Sequence, residues 1–127
     1  MDIDNTNRPS EVVIYQTVDG SVALDVNIQE SNVWLNRHQI AQLFDRDVKT
    51  IGKHINNALR EELEGIPTVA NFATVQREGD REVMRNVDHY NIEMITSIGY
   101  RVKSKRGTQF RIWANRVLKE HLINKSN

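Results

Sequence analysis

An α+β fold follows from three features of this 127-residue sequence. Apolar residues alternate with a period of two at Val22, Leu24, Val26 and Ile28. The spacing then changes to steps of three and four at Val48, Ile51, Ile55, Ala58, Leu59 and Leu63. It returns to a strand pattern over 69–87, split by Glu78-Gly79-Asp80, before two more helical stretches.

Residues 1–10 are polar and end in Pro9-Ser10, which predicts a flexible arm. Residues 11–124 then form a single domain, with 125–127 as a tail. The Val, Ile and Tyr of 11–16 predict a first strand, and Asp19-Gly20 predicts a tight turn. A second strand runs from Val22 to Gln29, and Val33-Trp34-Leu35 makes a short third. The three together form an N-terminal antiparallel β-meander. Asn36 is placed to cap a helix holding Ile40, Ala41, Leu43 and Phe44. Asp45-Arg46-Asp47 breaks the pattern, and Asp47 caps a second helix that ends at Gly65-Ile66-Pro67. The β-hairpin comprises Val69–Gln76 and Arg81–Val87. A short helix covers Asn91–Ile98, with Gly99 as its stop. Tyr100–Gly107 is a basic loop, and Thr108 to about Asn124 is an amphipathic helix, so two helices close the chain. Phe110 and Trp113 lie three residues apart on that helix and are assigned to packing rather than to a base-stacking platform.

Composition narrows the function. Hydrophobic residues are 39% and charged residues 27%, which suits a soluble globular chain. No apolar run approaches the roughly 18 residues of a membrane span, and Met1–Ser10 lacks the apolar segment of a signal peptide, so a cytoplasmic location without a membrane partner is expected. The absence of cysteine removes thiolate zinc sites, iron–sulfur clusters and cysteine nucleophiles. His38, His54, His89 and His121 include no pair four residues apart, and the carboxylates form no acid–base pair. The expectation is a non-enzyme with no catalytic residue, no metal and no cofactor.

The zero net charge conceals an asymmetry. Residues 1–98 carry 9 Lys+Arg against 16 Asp+Glu, whereas 99–127 carry 8 Lys+Arg against Glu120 alone. A basic C-terminal segment facing an acidic body predicts either a polyanionic partner or docking onto the chain's own body.

Residues 37–55, RHQIAQLFDRDVKTIGKHI, carry the strongest local motif. A helix-turn-helix needs a small residue where the second helix crosses the first, as Ala41 provides. It also needs shared apolar positions (Ile40, Phe44, Ile51, Ile55) and a turn of three or four residues. Asp45 stands where glycine is common, and Asp tolerates the left-handed backbone. Arg46 stands where an apolar residue usually anchors the turn. The hairpin that follows completes the order of a winged helix-turn-helix. DNA-binding residues expected on this pattern are Lys49, Thr50, Lys53 and Asn57 on the second helix. The hairpin adds Arg77 and Arg81, and the basic segment adds Arg101, Lys103, Lys105 and Arg106. Glu78, Asp80 and Glu82 dilute the hairpin's charge, so this element either touches phosphate, packs, or pairs with another chain. The plain alternative for 37–55 is two packed helices with a solvated polar face.

The runs VWLNRHQIAQLFDRDVKTIGKHINN and GYRVKSKRGTQFRIWA resemble the virulence protein RhuM family of bacteria, over roughly residues 11–123. The resemblance implies a DNA-binding or virulence-associated, regulatory protein found near mobile elements and defence genes. It also implies that this chain is the N-terminal domain of a longer protein or a short member. Two readings result. In the first, the domain binds double-stranded DNA, as a homodimer reading an inverted repeat, with the final helix or the first meander supplying the dimer surface. In the second, it is a protein-interaction domain whose basic C-terminal segment docks a protein partner or the rest of a longer chain.

Overall fold

The structure is a computed structural model that describes residues 11–126, with side chains through 123. The expected arm at 1–10 lies outside the described residues. Five strands and four helices alternate as β1 (Glu11–Gln16), β2 (Ala23–Gln29), β3 (Asn32–Asn36), α1 (Arg37–Phe44), α2 (Val48–Arg60), β4 (Val69–Glu78), β5 (Arg81–Tyr90), α3 (Ile92–Arg101) and α4 (Lys105–Ser126). The strands form one antiparallel sheet in the order β1-β2-β3-β5-β4. The α+β class, the meander, the helix pair, the hairpin and the two C-terminal helices are all present.

Local chemistry explains the connections. Asp19 organises the β1–β2 turn: its Oδ1 accepts from the Ser21 backbone N–H (3.0 Å) and hydroxyl (2.8 Å) and from the Thr17 hydroxyl (2.8 Å). Gly20 there takes φ +77°, open to glycine at no steric cost. The β2–β3 turn is two residues long, with Glu30 and Ser31 both at positive φ (54° and 60°). That twist joins adjacent strands closely, although these residue types adopt it less readily than Asn-Gly. The Trp34 indole N–H donates to the Gln29 carbonyl at 3.0 Å and braces the same turn. Asn36 and Gln39 make a reciprocal capping box at the start of α1.

Helices cover one face of the sheet. Leu24, Val26 and Ile28 of β2, Val33 and Leu35 of β3, and Tyr90 of β5 pack with Ile40, Phe44, Ile51, Ile55, Ile98 and Phe110. Tyr15 joins Phe110 edge-on at 5.0 Å and Trp113 at 4.8 Å, so β1 and α4 share an aromatic cluster. Phe110 is fully buried and Trp113 is packed against the core, as their spacing predicted.

Three boundaries differ from expectation. Helix α2 stops at Arg60, and the chain turns through 61–65, where Gly65 takes φ +77°. Leu63 still reaches the core because its N–H donates to the Ala58 carbonyl at 2.8 Å. Gly99 does not end α3, which continues to Arg101. Its role is close approach: a Cβ there would sit 3.0 Å from the Gly107 Cα and 3.2 Å from the Phe44 ring. The basic stretch 100–107 is therefore no loop. Only Val102, Lys103 and Ser104 separate the helices, with Lys103 in the left-handed region at φ 55°. Two glycines facing one another let α3 and α4 fold back tightly, so the chain needs no longer connection.

Candidate functional site

The connection between α1 and α2 is three residues, 45–47. Asp45 closes α1 at φ 53°, ψ 53°, and its backbone N–H caps the Ala41 and Gln42 carbonyls. Asp47 caps α2, its carboxylate accepting from the Lys49 N–H at 2.9 Å. Arg46 anchors the turn by hydrogen bonds instead of apolar contact. Its guanidinium donates to the Phe44 carbonyl at 3.0 Å and to the Val102 carbonyl, in the α3–α4 turn, at 3.3 Å.

Ile51, Ile55 and Ala58 bury one side of α2. Lys49, Thr50, Lys53 and Asn56 are exposed on the rest, and Asn57 is half-buried with its amide oxygen accepting from Arg60. Lys49 and Lys53 are one turn apart on the same face. Arg37, at the first position of α1, lies across α2 against Gly52, where a Cβ would meet its Nη1 at 3.4 Å.

A cleft of about 360 Å³ separates the starts of α1 and α2 from the hairpin base. Arg37, His38, Asn71, Asn86, Asp88 and Tyr90 line it. The Asn71 amide donates to the Asp88 carboxylate at 2.9 Å. Burial pushes the Tyr90 phenol above its ordinary range, and Arg37 beside it opposes the shift. These lining residues were not expected. Their only sequence signal was a cation opening α1, because the hairpin residues opposite them are distant in the chain.

The hairpin and the C-terminal segment use their cations differently. Arg85 forms a bidentate pair with Glu78, both bonds 2.8 Å, and Arg77 lies 3.7 Å from Glu82. Arg81 is exposed and has no carboxylate partner among the described residues. Arg101 is held by Glu62 (2.6 and 2.9 Å) and Glu61 (2.9 Å). The Ser97 hydroxyl also donates to Glu62. The Arg101 and Ser97 bonds hold the Glu62 carboxyl down at about 2. Arg106 donates to the Leu43 carbonyl at 2.9 Å and pairs with Asp19 at 3.0 Å. Hydrogen bonds from Ser21, Thr17 and Arg106 keep Asp19 well below the usual carboxylate range. Lys103 and Lys105 remain exposed. The fold thus gathers Lys49, Thr50, Lys53 and Asn57 on one helix and sets Arg77 and Arg81 on the hairpin. It turns Arg101 and Arg106 inward onto the chain's own body.

His89 is fully buried at the hairpin base, stacked on Phe72 at 3.9 Å with its Nδ1 2.8 Å from the Val87 carbonyl. Burial pushes its pKa down. Among the described residues no group of three or more His, Cys, Asp or Glu could hold a metal, and no helix is long and apolar enough to cross a membrane.

Fold and site define an α+β domain that carries an exposed polar helix beside a projecting hairpin. Residues 67–126 match the model of the virulence protein RhuM family. The matched residues cover the hairpin, α3 and α4, while the run VWLNRHQIAQLFDRDVKTIGKHINN precedes them. No curated protein and no solved structure matches the chain.

Proposed function

We propose that the chain is a binding module, not an enzyme, and that it binds double-stranded DNA as a winged helix-turn-helix. The reading rests on one observation above all: α2 starts from a three-residue turn and presents Lys49, Thr50 and Lys53 to solvent. Lys meets guanine or phosphate, and the Thr methyl meets thymine. The sheet order supports it, since β3 before the helix pair and the hairpin after it lie together as β3-β5-β4. In this arrangement β5 holds the hairpin, as the wing, beside the helix pair. Lys103 and Lys105 add cations for phosphate, whereas Arg101 and Arg106 act as struts. The match of 67–126 to the RhuM family model suits a regulatory role near mobile or defence genes. The competing reading, a protein dock through the basic segment, retains only the exposed cations of that segment.

The test is a fluorescence anisotropy titration against a random 25-base-pair duplex at several salt concentrations. Each phosphate neutralised adds about −0.9 to the slope of log affinity against log salt, so a slope near −4 or steeper is expected. The Lys49→Ala, Lys53→Ala pair should flatten that slope by about 1.8. No binding at low salt would overturn the DNA reading, and unchanged affinity in a folded double variant would remove α2 from the interface.

A further inference from the structure

Strand β4 has an open edge. It is ten residues long, lies at the end of the sheet, and among the described residues pairs only with β5. Apart from Phe72, whose ring meets Trp34 edge-on, it packs appreciably on no other element. Folded chains usually protect such edges with proline, lysine or a bulge, because unpaired N–H and C=O groups recruit another strand. Residues 69–76, VANFATVQ, contain no proline and no charge, and the β4–β5 register runs unbroken from Val69 to Glu78. Val69 and Val75 on this strand are 41% and 57% exposed.

We propose that this edge pairs antiparallel with the same edge of a second copy, about a two-fold axis at Ala73. An antiparallel strand pair is the isologous contact a two-fold permits. Centring on Ala73 pairs nine residues, 69–77, whereas centring on Thr74 also pairs nine, 70–78, but leaves Val69 outside the pairing. It sets Asn71 opposite Val75 of the second copy, and Val75 diagonal to Val69 of that copy on the same face. Each exposed valine then covers the other. The hairpin tip balances Arg77, Arg81 and Arg85 against Glu78, Asp80 and Glu82. In this register the tip residues Gly79 and Asp80 reach the second copy's Pro67 and Ile66. This balanced charge lets the tip lie against a second copy without net like-charge repulsion. The axis stands perpendicular to the sheet, so both helix layers fall on one side of a joined ten-stranded sheet. The pairing does not depend on DNA binding.

Sedimentation velocity on the full chain tests it. The wild type sediments as a dimer at micromolar concentration. Ala73→Lys and Ala73→Glu, each placing like charges across the axis, weaken the dimer about tenfold or more when alone. Mixed in equal amounts they restore it as a heterodimer. Circular dichroism confirms that both variants fold, since Ala73 is exposed. A monomeric wild type, a dimer insensitive to both variants (as β1 or α4 would give), or failure of the mixture to reassociate would each overturn the proposal.

Discussion

The helix-covered body and the β4–β5 hairpin both carry arginine–glutamate pairs, yet the pairs act over different distances. In the body, Arg101 of α3 reaches Glu61 and Glu62, about 40 residues back, and Arg106 of α4 reaches Asp19, 87 residues back. Those bonds join separate elements. In the hairpin, Arg85 reaches Glu78 across seven residues and stiffens only the arm itself. The body is also dense, with Phe110 and Ile98 fully buried, whereas Val75 and Met84 of the hairpin are mostly exposed. Stability resides in the first region, and the second is free to be a surface.

Substitutions can break this contrast. Phe110→Ala should cost about 3–5 kcal/mol in urea unfolding, because it empties the cluster with Tyr15 and Trp113. Met84→Ala, at 63% exposure, should stay within about 0.5 kcal/mol. Equal effects would erase the distinction. Gly99→Ala should cost about 1–3 kcal/mol by forcing α3 from Gly107 and Phe44, measurable as a lower midpoint at unchanged slope.

Replacing the Glu30-Ser31 turn by Asn-Gly should raise stability by about 1 kcal/mol, since both positions already hold positive φ. Glu62 sharpens the comparison through pH. Its folded pKa is lowered from 4.5 to about 2, so its stabilisation is present above 4.5 and lost as pH falls towards 2. Glu62 is substantially exposed, and solvent screening limits the effect to about 1 kcal/mol or less. Glu62→Gln should therefore flatten the acid limb of a stability profile in that window. Arg85→Gln, on an exposed local pair, should change global stability least, leaving the urea midpoint where it is in the wild type.

Much of the fold was legible because its patterns are local. Period-two strands, the Asn36 and Asp47 caps and the left-handed Asp45 needed only neighbouring residues. Gly99 misled because a glycine that lets two helices touch has the same letter as one that ends a helix. Tyr100–Gly107 misled because four cations within six residues suggest solvent, while Arg101 and Arg106 have carboxylate partners far away in the chain. Lys49, Thr50 and Lys53 could be placed on one exposed helix from spacing alone. The cleft at the helix starts could not, since Asn71, Asn86 and Asp88 come to Arg37 through the β3–β5 seam.

That seam sets the folding order. Strand β3 gives its first residues to β2 and only Leu35 and Asn36 to β5, opposite Tyr90 and His89. The meander and the hairpin each close over short loops and should form quickly as independent units. Joining them requires closure of a long intervening chain for just two residue pairs, a late and entropically costly event. The slowest step of folding should then be the meeting of the two ribbons at Leu35–Tyr90, so Leu35→Ala should slow refolding more than Met84→Ala in stopped-flow measurements.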